Sequence, residues 1–367
     1  MTITVGVVGG GQLARMMIPA AEALGVTIRV LAEAENSSAQ LASTGVGDYR
    51  DLDTLLGFAN SVDVVTFDHE HVPTDLLTEL ETQHIQVRPG PHALVFAQDK
   101  ALMRDRLADT AVPLPDWQVA TSANEVDEFV GQHAGEAIAK TPRGGYDGKG
   151  VRVIHSAAEV ADWLEVGEVL LEEKVPFSRE LAQLVARSPS GEVRVFPLVE
   201  TIQQDGVCAE VIAPAPETTD SLSARTAEIA RTIAEQLDVT GVLAVELFQV
   251  GDDVVVNELA MRPHNSGHVF TEGAVTSQFE QHLRAVLDWP LGDTSLTYPW
   301  SVMVNLFGDA GHERITAALE TSDRVCVHAY GKEPRPGRKA GHIVVSGDKL
   351  EDVRDIARRA AQAGERA

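Results

Sequence analysis

Cysteine is nearly missing from this chain. Its two copies, Cys208 and Cys326, lie far apart, show no metal-ligand spacing and lack the context of a catalytic thiol, so they read as buried apolar filler. Positive charge is also scarce. Thirty Lys and Arg stand against 55 Asp and Glu, a net charge of −25, which argues against a general binder of nucleic acid or of a membrane surface. No stretch approaches the roughly eighteen continuous apolar residues of a membrane helix, and the N-terminus has no signal-peptide pattern. The expectation is a soluble, cytoplasmic protein. Repeats and low-complexity segments are absent too. The 367 residues, 44% hydrophobic and 23% charged, are enough for two or three domains with large cores.

Against that acidic background, one stretch concentrates positive charge. Between apolar runs that end at Ile138 and restart at Val151 stand Gly144, Gly145, Gly148 and Gly150, with Lys140, Arg143 and Lys149 and the single carboxylate of Asp147. Glycine lets backbone approach a ligand closely, and successive N–H groups in such a turn form a concave anion site. A glycine-rich cationic tip between two strands is what covering a triphosphate requires. The alternative is a basic hairpin loop, but plain hairpins rarely need four glycines and three cations together.

Residues 3–8 read as a buried strand, Gly9 to Ala14 as a glycine turn, the following residues to about Leu24 as a helix and Thr27 to Ala32 as a second strand. The turn fits G-x-G-x-x-A, and Glu33 follows about twenty residues later. That is the dinucleotide fingerprint, and it keeps an NAD-dependent oxidoreductase open. A phosphate monoester fits the same helix N-terminus as well. Val62 to Phe67 is another strand, followed by Asp68-His69-Glu70-His71, which read as loop residues rather than a metal site. A helix runs from about Gln98 to Ala111, and Val112-Pro113-Leu114-Pro115 breaks the chain. Strand 116–119, a helix capped by Ser122 and strand 137–141 lead into the glycine loop. The returning strand is 151–154, and a further strand ends in Glu172-Glu173-Lys174-Val175, before Glu180 opens the next. Donors and acceptors clustered there suit an adenine edge and ribose hydroxyls, though a solvated strand end reads the same way. Strands 179–188 and 193–202 and a helix from Asp220 to Leu237 follow.

Val242 to Val250 and Val254 to Leu259 flank Gly251-Asp252-Asp253, a hairpin signal. A turn centred on Asp252 places Glu246 opposite Glu258 on one face. Like charges directly opposite are destabilising, and magnesium, a hard cation held by carboxylates and substrate phosphates, is the natural compensation. Asn257 adds an oxygen ligand if local geometry turns it inward. Arg262-Pro263-His264-Asn265-Ser266-Gly267-His268 leaves the hairpin as a donor-rich loop. Strands near 300–307, 324–329 and 341–346 and a helix 349–363 close the chain. Tyr330 to Lys339 forms a second basic loop, which suits a second captured anion or a solvated surface.

The glycine turn Gly9 to Met16, the stretches 143–150, 241–248 and 257–258, the loop 262–268 and Gly-Arg-Lys-Ala-Gly-His at 337–342 together resemble the N5-carboxyaminoimidazole ribonucleotide synthetase family, ATP-grasp enzymes of de novo purine synthesis. The resemblance runs through the whole chain in order. It implies an α/β and α+β protein with an ATP-grasp fold: a Rossmann-like pre-ATP-grasp domain over 1–98, an ATP-grasp domain over 99–293 and a small β-rich C-terminal domain over 294–367. It implies ATP and Mg2+, bicarbonate and 5-aminoimidazole ribonucleotide as substrates, no nucleic-acid or membrane partner, and a homodimer. Residue by residue, it implies that Lys100 and Lys140 contact ATP phosphates and that Gly144, Gly145, Tyr146, Asp147, Gly148 and Lys149 cover them as a lid. Glu172, Lys174, Val175 and Glu180 hold adenosine, Asn257 stands beside the metal carboxylates, and Glu246 and Glu258 bind magnesium. Tyr146, Asp147, Lys149, Arg262, His264 and Asn265 line the aminoimidazole and bicarbonate site, with Lys140, Asp147, Lys149 and Arg262 as the catalytic set. Lys332 and Arg338 take the ribonucleotide phosphate, with Lys339 and Gln12 beside them. The chain departs from the family pattern at Gln203, where a histidine near the nucleotide is expected, at Met261 in place of proline and at Ala340 in place of methionine. Another ATP-grasp ligase with a different acceptor amine, and a nucleotide sensor without turnover, remain as alternatives.

Overall fold

A computed structural model describes residues 2–145 and 150–364. The N-terminal segment is a four-stranded parallel sheet in the order Ser43–Val46, Thr27–Ala32, Thr4–Val8 and Val64–Phe67. Near-continuous burial of Val5, Val7, Val8, Val30, Val64 and Val65 is what a parallel sheet covered on both faces demands. The helix Gln12–Leu24 crosses between its first two strands, buries Leu13, Ala14, Met16, Met17 and Ala21, and ends at Gly25 with φ 69°. Ser43–Val46 is an exposed edge strand of four residues with no apolar alternation, so the sequence carries no signal for it.

A four-stranded antiparallel sheet, in the order Trp117–Ala120, Val169–Glu172, Ala137–Lys140 and Val151–Ile154, carries the glycine stretch at its tip. Ser122 caps the helix Ala123–Gln132 through a reciprocal capping box with Glu125.

The third unit is a nine-stranded sheet running Asp253–Ala260, Gly241–Val250, Arg179–Arg187, Val199–Gln204, Val207–Ala213, Trp300–Gly308, Arg335–Gly347 and Cys326–Ala329, with Val193–Val195 paired onto Arg179–Arg187. The helix Asp220–Gln236 buries Leu222, Ile229 and Ile233 among Leu181, Val185, Leu243 and Val245. The C-terminal helix Leu350–Gln362 buries Val353, Ile356 and Ala357 among Val302, Ile343 and Val345. Three sequence expectations change here. The strand read over 193–202 breaks at Pro197, which has no N–H for a ladder. Val207–Ala213 goes unread in the sequence, and it joins the two halves of the sheet: Glu210 pairs with Val304 and Ile212 with Val302. The C-terminal strands therefore extend the central sheet rather than building one of their own. The basic stretch read as a loop is already strand from Arg335.

Candidate functional site

A cleft of about 1390 Å³ lies where the three units meet. One of its walls begins at the hairpin. The turn residues are Gly251 and Asp252, and Val250 pairs with Asp253, so the register near the turn is offset by one from a turn centred on Asp252. A bulge between Glu246 and Leu247 absorbs that offset, with Leu247 opposite Val256 and Glu246 opposite Glu258. Asn257 is the extra residue. The carboxylates face each other as expected, but the bulge puts them there, and it also turns Asn257 into the cleft.

Cations surround this pair. Lys100 Nζ stands 3.0 Å from Glu258 Oε1 and donates to the Gly145 carbonyl at 3.3 Å. Lys140 Nζ bonds Glu172 Oε2 at 2.7 Å and Asn257 Oδ1 at 3.1 Å. Glu172 is 3% exposed and also pairs with Arg104 at 2.7 Å. Burial alone raises the Glu172 carboxyl, but the Arg104 and Lys140 charges outweigh it and the net direction is down. Its side chain is thus spent on two cations. Arg143, counted among the cations of the glycine stretch, is anchored at one nitrogen: its Nε donates to Asp99 Oδ2 at 2.7 Å, while Asp99 caps the helix Lys100–Ala108.

The Glu246 side chain keeps 32% of its surface, open to the cleft floor rather than to bulk solvent. Burial first, and then the Glu258 and Glu180 charges, push its carboxyl up to about 8. Two facing carboxylates and an amide oxygen are a hard-oxygen donor set that fits a magnesium ion, and the raised Glu246 carboxyl is the mark of a pair that gains from a cation between its members. Lys174, Val175, Glu180 and Gln203 line the far end. Gln203 Nε2 donates to Glu180 Oε2 at 3.1 Å, so it holds that carboxylate at the place where a family histidine was expected. Phe177 stacks on Phe248 at 4.4 Å in the same wall. No sequence period singles these two rings out, and only the strand crossing brings them together.

The opposite end collects Gln12, Arg262, His264, Asn265 and Lys339. Arg262 Nε donates to Glu70 Oε2 at 2.8 Å, and Glu70 Oε1 accepts the Met261 N–H at 2.9 Å. Burial works against the Arg262 charge, but Glu70 more than restores it. His264 Nδ1 accepts from Ser266 N–H at 3.4 Å, and its Nε2 stands 3.3 Å from Glu246 Oε1. Burial, with Arg262 and Lys339 nearby, keeps that ring neutral. Asn265 and Asn305 exchange amide hydrogen bonds at 2.8 and 3.1 Å. Lys332 reaches the cleft through Gln12 Oε1 and also donates to the Lys339 carbonyl at 3.4 Å, and Arg338 Nη1 bonds Glu333 O at 3.4 Å. Met261 and Ala340 are buried, so both departures are packing changes. Tyr146, Asp147, Gly148 and Lys149 lie outside the described residues. Cys208 and Cys326 are half-buried rather than fully buried, and Cys208 lines the cleft.

The structure redraws the glycine turn. The Asp68 carboxylate sits at the N-terminus of Gln12–Leu24 and accepts the Ala14 N–H at 2.7 Å. A Cβ on Gly11 would stand 2.0 Å from Asp68 Oδ2, one on Gly9 2.7 Å from the His69 ring and one on Gly10 2.7 Å from Ala32 and Ser37. All three glycines make room for protein side chains, and Glu33 is engaged by His69 at 3.1 Å. The glycines of the dinucleotide fingerprint therefore serve packing here, and two of its amides are engaged within the protein, Gly9 N–H by the Leu31 carbonyl at 2.9 Å and Gly10 N–H by Glu33 Oε2 at 3.4 Å. Gly11→Ala should lower the unfolding free energy by about 1–3 kcal/mol, the range for overpacking, in a urea melt. Wild-type stability in that variant would show that Asp68 does not need the space. Sequence reasoning missed Glu70, Asp68, Arg104 and Asn305, because their roles lie in long-range partners.

Three family models match this chain in order. They are the ribonucleotide synthetase preATP-grasp domain over residues 1–98, the ATP-grasp domain over 105–279 and the phosphoribosylaminoimidazole carboxylase C-terminal domain over 301–356. An N5-carboxyaminoimidazole ribonucleotide synthase of Mycobacterium tuberculosis is 47% identical over 97% of this chain and 86% of its own. The crystal structure of the synthetase from Thermus thermophilus superposes with a TM-score of 0.91 at 36% identity, covering 99% of each chain. A synthase of Aspergillus clavatus, solved in complex with ADP and 5-aminoimidazole ribonucleotide, gives a TM-score of 0.88 at 29% identity over 98% of each. No helix among the described residues is long and apolar enough to cross a membrane.

Proposed function

The chain belongs to the N5-carboxyaminoimidazole ribonucleotide synthase family, and from that membership we infer the reaction of its cleft: ATP, bicarbonate and 5-aminoimidazole ribonucleotide are converted to the N5-carbamate, ADP and phosphate. The protein is an ATP-grasp carbon–nitrogen ligase of purine synthesis. The observation that carries the reading is a single cleft with two cationic ends, Lys100 and Lys140 beside a carboxylate pair at one and Arg262, Lys339 and the Gln12–Lys332 contact at the other.

Bicarbonate attacks the γ-phosphorus of ATP, giving carboxyphosphate and ADP. Carboxyphosphate breaks down to CO2 and inorganic phosphate, and the exocyclic amine of the ribonucleotide captures the CO2, losing one proton to give the carbamate. The chain has to position phosphates and neutralise charge, and no side-chain nucleophile is needed. Lys140, held by Glu172 and Asn257, and Lys100, held by Glu258, aim ammonium groups at the phosphates. Glu246, Glu258 and Asn257 would hold magnesium, which neutralises phosphate charge when bound. The Phe177–Phe248 pair, Val175 and Glu180 form the adenosine wall. At the second end, Arg262, His264 and Asn265 orient bicarbonate and the amine, with Tyr146, Asp147 and Lys149 assigned to the same group and Asp147 taking or orienting the amine proton. We further propose a homodimer working in the cytoplasm.

The direct test measures ADP release. Turnover should require bicarbonate and 5-aminoimidazole ribonucleotide together. ADP release that ignores the ribonucleotide would point to another acceptor, and binding of NADH in place of ATP would return the fingerprint reading. The division of the two anions has its own test. A charge-assisted contact is worth roughly 1.5–3 kcal/mol. Arg338→Ala should therefore raise the KM for the ribonucleotide by about one to two orders of magnitude and leave the KM for ATP nearly unchanged. A rise in the ATP value alone would mean that this strand closes over the nucleotide.

A further inference from the structure

We propose that Arg104 is the positioning residue that sets the shape of the magnesium–ATP hairpin, acting from beneath the site without touching the substrates. The inference rests on the nucleotide reading of the cleft given above. Arg104 is fully buried, with 0% exposure. Its Nε donates to Glu172 Oε1 at 2.8 Å, its Nη1 to the Val256 carbonyl at 3.0 Å and its Nη2 to the Asn257 carbonyl at 2.7 Å.

Those two carbonyls carry the argument. Asp253–Ala260 is the edge strand of the large sheet, paired on one side with Gly241–Val250 and with no strand on the other. In a regular strand, successive carbonyls point to opposite sides. Here the carbonyls of Val256 and Asn257 both turn outward to one guanidinium, which is the backbone signature of the bulge. An edge bulge is soft unless its freed groups are satisfied. The Val256 N–H goes to the Pro113 carbonyl at 2.9 Å, and the planar fork of Arg104 takes both oxygens. It replaces the missing neighbouring strand at the point where the register shifts.

The consequence reaches the site. The bulge is what brings Glu258 opposite Glu246 and Asn257 into the cleft. Arg104 also shares Glu172 with Lys140, and Lys140 holds Asn257 Oδ1, so Arg104, Glu172, Lys140 and Asn257 close a ring of contacts. Lys100, one helical turn before Arg104, reaches Glu258 from the same helix. One helix face therefore sets two metal-side oxygens and, through Glu172, the phosphate lysine. A lysine at 104 keeps the charge beside Glu172 but lacks a fork to hold two carbonyls.

The test is Arg104→Lys. Partners one step behind a metal or phosphate contact typically cost about 10–100-fold when replaced. The variant should melt cooperatively, raise both the half-activating magnesium concentration and the KM for ATP by about that factor, and hold the KM for 5-aminoimidazole ribonucleotide within about twofold. Unchanged magnesium and ATP constants, or an equal rise in all three, overturns the proposal, since a merely structural arginine affects both ends of the cleft alike. Should the lysine variant not fold, R104M/E172Q removes the buried ion pair as a unit and is compared with E172Q alone. A higher magnesium requirement in the double variant supports the proposal, and equality overturns it. Lys140→Met separates this from the reading beneath it. If that variant keeps its ATP constants, the nucleotide assignment of the cleft fails; if it loses them while R104K does not, Arg104 alone is wrong.

Discussion

Glu258→Gln should abolish ADP formation in a chain that still folds. Glu258 stands opposite Glu246 across the bulged hairpin, with Lys100 at 3.0 Å offsetting its charge. Burial and the Glu258 charge together push the Glu246 carboxyl up. Removing one carboxylate relieves that repulsion, so thermal stability without metal should hold or rise. On the proposed metal assignment, the same change removes a hard-oxygen ligand where charge neutralisation supplies most of the catalysis. The expected loss in kcat is on the order of 10²–10³-fold or more, the scale of removing one preorganised electrostatic contact. Calorimetric titration with ADP should show that added magnesium no longer tightens binding. A variant that makes ADP at the wild-type rate would remove Glu258 from the metal site.

Lys140→Met should lower kcat/KM for ATP by about 10²–10³-fold while the KM for the ribonucleotide stays near its wild-type value. Lys140 is 7% exposed, and its ammonium is held between Glu172 Oε2 and Asn257 Oδ1, aimed along the cleft. The substitution also costs stability, because Glu172 loses one of two cations. Breaking a buried pair outright costs about 3–5 kcal/mol, but Arg104 still holds Glu172, so a loss of about 1–3 kcal/mol in a denaturant melt is expected. The two readouts separate the roles. A stability loss with normal ATP kinetics would make Lys140 a counter-ion for Glu172 and nothing more.

The candidate site was partly legible because several of its parts are local. Four glycines and three cations within twelve residues need no tertiary information to read as an anion-binding tip. A hairpin has a register that follows from its turn, so Glu246 and Glu258 could be paired from the chain alone. That reasoning reached the right pair through the wrong turn: the offset of one at Gly251-Asp252 and the bulge at Asn257 cancel. A bulge leaves no mark in composition. The same limit explains the fingerprint at Gly9 to Ala14. Glycine in a turn reports that something approaches the backbone, and here it is the Asp68 carboxylate, fifty-odd residues away in sequence, rather than a pyrophosphate.

By itself, the sequence determined most of the elements in their order, though not Ser43–Val46 or Val207–Ala213, together with the acidic composition and its few concentrated cations, the residues that carry charge at the cleft and the family to which the chain belongs. Each follows from properties that neighbouring residues share: apolar period, turn chemistry, charge density and motif. Only the tertiary structure decided which of those charges are available. Arg143 is anchored by Asp99 through its Nε, the Glu172 carboxylate is spent on Arg104 and Lys140, and Asp68 on the helix N-terminus. It also decided that the C-terminal strands continue the central sheet through Val207–Ala213, which carries Gln12's partner Lys332 to the mouth of the cleft. Pairing between a charge and its counter-charge depends on distance in space, and in this chain the deciding partners stand between 32 and 320 residues apart.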